Sequence, residues 1–161
     1  MVDLDKKSIK KKGAILLGFI LLLLTLLREN VFLEINGVLN QTGYNKAYFY
    51  LLDPLISNLS IDQLVLLKWV LTIGFILLIS SLTVLVVKWW FNQTNYTSTT
   101  IKIILLLFIV SSVITFILWL LGLFNHYYVV LRKMVGFLSS PLPLFLFFVM
   151  YLYLNLVRDN D

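Results

Sequence analysis

The chain has 161 residues, of which 60% are hydrophobic and only 13% charged. Soluble domains carry roughly 45–50% apolar and about 25% charged residues, so this mean hydropathy of +0.95 leaves apolar surface that lipid, not water, must cover. Cysteine is absent, which excludes disulfides, thiolate metal sites and a cysteine nucleophile, and the net charge of +5 does not suggest nucleic acid, because much of it lies in one terminal segment.

In chain order, Lys6, Lys7, Lys10, Lys11 and Lys12 precede a first apolar run over 13–27. The run leaves through Leu26-Leu27-Arg28-Glu29-Asn30 with no small-residue cleavage site, so it reads as a retained helix over about 13–30 rather than a cleaved signal. A second helix is expected over 64–91. Trp69 and Trp89 stand twenty positions apart in it, roughly 30 Å at 1.5 Å per residue, the spacing of two interfacial aromatic belts. Lys68 then lies at an interface, where its stem can follow apolar surface while the ammonium reaches water; a contact with an anionic lipid or a partner is the alternative reading.

A third helix is expected over 100–124, containing a charge-free run from 103 to 124. Ser80, Ser81 and Thr83 in the second helix and Ser111, Ser112 and Thr115 in the third are expected to pack the two helices together, since small hydroxyl residues allow close approach. A polar substrate path is the alternative reading, but it would ordinarily carry ionisable groups at that depth. A fourth helix is expected over 141–157, because proline fits a first helical turn and Ser140 is a natural cap before Pro141. That leaves 127–138 as a separate amphipathic segment at the outer interface, with one long kinked helix from about Leu131 as the alternative.

Each expected helix, from 13–30 to 141–157, is about as long as the roughly 17–25 predominantly apolar residues that a hydrocarbon core of about 30 Å demands, or longer. The expected fold is therefore an all-α integral membrane protein, one polytopic domain of four transmembrane helices with short interfacial helices on the outer face. The lysine cluster holds the N-terminus in the cytoplasm, and four crossings return the C-terminus to the same side. The segment 31–62 becomes an outer loop, in which Tyr44, Tyr48, Phe49 and Tyr50 lead into Asp53-Pro54, a turn or helix-start signal.

No HExxH, GxSxG or GxxxxGK[ST] motif occurs, so neither an enzyme nor a metal or cofactor site is expected. Arg28, Glu29, Asp53, His126, Tyr127, Arg132 and Lys133 are the candidate contacts for a partner or a lipid headgroup, because all should reach the outer face and arginine can grip a carboxylate or phosphate bidentately. Ion pairs Arg28–Glu29 and Arg132–Asp53 that merely fasten the outer loops are the plainer reading, and His126 is read as a solvated polar residue.

The order of a basic start, Arg28-Glu29 after the first apolar run, Tyr48-Phe49-Tyr50-Leu51-Leu52-Asp53-Pro54-Leu55, and a late Tyr127–Leu144 stretch with Leu131-Arg132-Lys133 resembles the exosortase-system-associated small membrane proteins of the Bacteroidota, the type found beside exosortase F or a related exosortase. The resemblance implies an inner-membrane accessory role in protein sorting at the cell envelope. Exosortases process C-terminal sorting signals of exported proteins with a cysteine, an arginine and a histidine near the outer face, so this cysteine-free chain is expected to bind such an enzyme or its substrate's tail rather than act as one. A protein that binds an anionic lipid or envelope-polymer precursor is the alternative function. A pore-forming oligomer is a third, disfavoured by the lack of charge within the apolar runs.

Overall fold

The structure, a computed structural model, describes residues 2–39 and 49–158. Tyr44, Lys46 and Tyr48 of the aromatic loop, and the side chain of Asp53, lie outside what it describes. Among the described residues every element is a helix: α1 (Val2–Leu39), α2 (Asp53–Ile56), α3 (Ile61–Phe91), α4 (Thr94–Leu120), α5 (Phe124–Leu138) and α6 (Leu142–Arg158). Three of them, α1 from Ser8 onward, α3 and α4, are long and apolar enough to cross a membrane. A fourth passage exists if Val129–Leu138 and Leu142–Arg158, bent by 55° at the break between them, are taken as one span.

Local signals account for most helix ends. Ser60 and Gln63 form a reciprocal capping box at the start of α3, satisfying two backbone donors that a helix N-terminus otherwise leaves open. Asn92 ends α3 in the left-handed conformation at φ 52°, which asparagine tolerates better than most residues. Its side chain also accepts a 2.8 Å hydrogen bond from Lys10 Nζ. The turn after α4 passes through Gly122 at φ 69°, a conformation that costs glycine nothing sterically.

Several boundaries depart from the sequence reading, among them the start of α1 at Val2 rather than 13 and the end of α4 at Leu120 rather than 124. α1 does not stop at residue 30 but runs on through Leu39, shortening the outer loop expected over 31–62. Val31 and Ile35, one turn apart, are buried there, as are Asn30 and Glu34, so tertiary contacts extend the helix beyond its apolar run. α4 begins at Thr94, not at 100. The hydroxyls of Thr97 and Thr100 bond back to the carbonyls of Gln93 and Tyr96, and Tyr96 stacks on Tyr151 with ring centroids 4.3 Å apart, which holds a polar segment helical. The segment expected over 127–138 is α5, already helical from Phe124. The break between α5 and α6 falls where proline cannot donate; there Ser139 and Ser140 hydroxyls return to the carbonyls of Val135 and Phe137, and Leu142 N donates to Ser140 Oγ at 3.3 Å.

α1 and α3 pack antiparallel along most of their length. Contact is tight at Gly13, where a Cβ would stand 2.6 Å from Trp89 Cζ3; only glycine lets the ring lie there undisturbed. The apolar core joins Ala14 and Leu21 of α1, Ile79, Val86 and Val87 of α3, and Leu144, Phe147 and Tyr151 of α6. It occupies the half of the bundle nearer the N-terminal lysines. At its edge the fully buried Tyr151 hydroxyl lies 2.9 Å from Thr100 Oγ1 and 3.1 Å from the Tyr96 carbonyl, the two hydroxyl protons of Tyr151 and Thr100 being shared among these contacts and the Thr100–Tyr96 bond, while Tyr96 Oη donates to Asn155 Oδ1 at 2.9 Å. α4 buries only Thr100. A helix so apolar and so exposed is stable where hydrocarbon surrounds it and its backbone bonds close internally.

The hydroxyl clusters do not join α3 to α4. Thr83, Ser112 and Thr115 each bond the carbonyl four residues back in their own helix. Thr83 lies nine residues before the Asn92 cap and Ser111 seventeen after the start of α4, so at 1.5 Å per residue the clusters are offset by roughly 12 Å along the bundle.

Candidate functional site

The half of the bundle away from the lysines (the distal end) is built differently. Here α1, α3, α4 and α5 stand apart around a cleft of about 570 Å³, within the 300–1,000 Å³ typical of small-ligand sites. α1 contributes Arg28, Glu29, Phe32 and Asn36; α3 contributes Val65, Lys68, Trp69 and Thr72; α4 contributes Thr115; α5 contributes Leu131, Arg132, Val135 and Gly136. Three cations thus face one carboxylate across walls that are otherwise mainly apolar.

The cations are held in different ways. Lys68 Nζ donates to Asn36 Oδ1 at 2.7 Å, a neutral acceptor that orients the ammonium without cancelling its charge. Arg28 lies with Cζ 5.3 Å from the centroid of the Phe32 ring, a cation–π distance, and Phe32 in turn packs against Phe75 of α3 at 6.2 Å. The Nε of Arg28 is buried with no hydrogen-bond partner. Leaving a charged donor unpaired away from water is costly, and because that nitrogen is closed off, only the remainder of the half-buried side chain is open to the cleft. The charges of both Glu29 and Arg132 act on it; Arg132 and Arg28 repel one another across the cleft.

A second polar layer lies behind α1. Asn30 and Glu34, one turn apart and almost completely buried, fasten the segment that leads into α2. Asn30 Nδ2 donates to the Phe49 carbonyl at 2.7 Å and its Oδ1 accepts from Phe49 N at 3.3 Å. The Glu34 carboxylate accepts from Leu51 N at 3.2 Å and Leu52 N at 2.9 Å. At 100° per residue, two positions turn about 200° round a helix. Asn30 and Glu34 therefore face the segment while Arg28, Phe32 and Asn36 face the cleft.

Of the sequence-derived candidates, Arg28, Glu29 and Arg132 converge on the cleft, and so does Thr115 from the hydroxyl clusters. His126, Tyr127 and Lys133 are exposed on α5 and are not among its lining residues, His126 and Tyr127 meeting edge to face at 5.1 Å. Ser80, Ser81, Thr83, Ser111 and Ser112 lie elsewhere. Lys68, for which the sequence supports snorkelling with a lipid or partner contact as the alternative, lines the site, as does Asn36, while Glu34 holds the segment behind it. The signal that finds Asn36 and Glu34 is polar residues recurring late in an otherwise apolar helix, Asn30 and Glu34 four positions apart on one face and Arg28 and Asn36 eight apart on another. Among the described residues no group of three metal-ligating side chains occurs.

Comparison with protein-family models, with curated proteins and with solved structures yields no match.

Proposed function

We propose that this chain is a non-catalytic accessory protein of a membrane exosortase system, binding the enzyme or its substrate's tail at the distal end of the bundle. The observation that carries the reading is convergence. The sequence stretches that resemble the exosortase-associated family are far apart in the chain, yet Arg28-Glu29 and the Leu131–Gly136 part of the late stretch line one cleft. The Phe49–Leu52 part of the loop motif is fastened to the back of the same helix through Asn30 and Glu34.

In this reading the protein crosses the bacterial cytoplasmic membrane four times with both termini in the cytoplasm, and the cleft opens toward the outer leaflet. The pairing of Tyr96 with Asn155 and Thr100 with Tyr151 supports α6 returning to the lysine end. Its seventeen residues span roughly 25 Å, so α5 supplies the rest of the crossing.

The test is photo-crosslinking in native membranes from Val65, at the cleft rim, with Ile101 on α4 as the control position. Recovery of a polytopic cysteine protease or its tailed substrate from Val65 and not from Ile101 is expected. Recovery of neither, with the protein folded and abundant, refutes the accessory role.

A further inference from the structure

The cleft's chemistry points past the docking of a protein. We propose that it is a binding site for one anionic phospholipid-type amphiphile, whose phosphate is held between Arg28, Arg132 and Lys68 and whose chain lies along Trp69 and Val65. The inference shares with the proposed function only the assignment of the cleft as the working site.

Charge is the first argument. Three cations against the single Glu29 leave the lining two positive charges in excess, and no described side chain neutralises them. Lys68 is tied to a neutral amide, and the Arg28 guanidinium rests against the Phe32 ring. A group with several anionic oxygens answers these charges, since guanidinium–phosphate hydrogen bonds are short and directional. A bound anion also removes the repulsion between Arg28 and Arg132.

Access is the second argument. Val65 and Trp69 are 41% and 46% exposed and run without interruption into the exposed apolar faces of α3 at Leu66, Val70 and Ile73. In a bilayer those faces meet acyl chains, so an amphiphile enters sideways while its chain never leaves hydrocarbon. Trp69 also marks an interfacial depth. On the α1–α3 pairing seen at Asn36–Lys68, Arg28 belongs to a turn closer to the bilayer centre. Its guanidinium lies against Phe32, one turn nearer the distal end, with Cζ 5.3 Å from the ring centroid, and both residues line the same cleft as Lys68. A free ion would fill only the polar part of the 570 Å³ cleft; a headgroup with its first methylenes would fill the apolar walls as well.

The experiment uses the purified full chain in mild detergent with dioleoyl-phosphatidylglycerol or dioleoyl-phosphatidylcholine as the probe, binding being read by native mass spectrometry. Inorganic phosphate and a hydrophobic peptide with a free C-terminal carboxylate serve as competitors. Phosphatidylglycerol should be preferred by about tenfold, the scale of one hydrogen bond to a charged group. The preference should vanish in R28Q/R132Q and persist in the remote control Lys102→Gln. Glu29→Gln, which raises the charge excess, should strengthen the preference, a gain that misfolding cannot mimic. Equal binding of the two lipids, an unchanged preference in R28Q/R132Q, or a weaker one in Glu29→Gln overturns the proposal. Displacement by millimolar phosphate would reduce the cleft to an ion site, and displacement by the peptide would assign it to a protein tail; either result also overturns it. Because no partner enzyme is present, failure here leaves the crosslinking test from Val65 untouched, and failure there leaves this one untouched.

Discussion

Replacing Glu34 by alanine should release the segment before α2 while leaving the helices in place. The carboxylate is completely buried and accepts from Leu51 N and Leu52 N at 3.2 and 2.9 Å. Hydrogen bonds to a charged group contribute roughly 1.5–3 kcal/mol each. Leu51 is exposed and Leu52 half-buried, so the freed N–H groups regain water and the loss falls near the lower end, about 3 kcal/mol for the pair. That is about a 140-fold shift in the local opening equilibrium. Glu34→Gln keeps one oxygen acceptor but loses the charge and the second acceptor, and should cost roughly half as much. Amide hydrogen exchange of the 49–56 segment in detergent reads the effect directly, since local opening governs exchange there. Exchange should quicken in Glu34→Ala, quicken less in Glu34→Gln, and stay unchanged in the middle of α3. Asn30→Ala should act on the same segment, and combining it with Glu34→Ala should give less than the sum of the two, because a segment already released has little left to lose. Unchanged protection at Leu51 and Leu52 in Glu34→Ala would show that the carboxylate does not hold the segment, and the latch would have to be abandoned.

Three further outcomes are expected. Tyr151→Phe removes a buried hydroxyl that contacts both Thr100 Oγ1 and the Tyr96 carbonyl and should lower stability by about 1–1.5 kcal/mol; Thr100→Val leaves Tyr151 its carbonyl partner and should cost less, so a thermal melt with the order reversed would contradict the network. Ser60→Ala deletes the capping box of α3 and should cost about 1 kcal/mol, seen as faster exchange confined to the first turn of α3. In variants that keep only Trp69 or only Trp89, with the other tryptophans changed to phenylalanine, lipids brominated near the carbonyl should quench fluorescence more than lipids brominated at the chain end; stronger quenching from the chain end would remove Trp69 and Trp89 from the interfaces.

The apolar helices were legible in the sequence because the property that makes them, roughly twenty residues without charge, is local to each segment and set by the thickness of lipid rather than by a partner. The same holds for the Ser140–Pro141 break and for the Trp69 and Trp89 spacing, which need only helix geometry. What the sequence could not settle was anything requiring two distant segments. α1 outlasts its apolar run because Val31, Ile35, Asn30 and Glu34 find burial against other elements. The polar start of α4 is helical because Tyr151, some fifty residues away, takes up Tyr96 and Thr100. The hydroxyl clusters looked like partners, but pairing two antiparallel helices across a short turn fixes their register, and that register sets the clusters at different depths. Arg28, Lys68 and Arg132 each read alone as an interfacial cation, for which water or headgroups are partners enough. Only the tertiary structure brings all three to one cleft, because charges that repel can be neighbours only where packing of α1, α3 and α5 elsewhere holds them there.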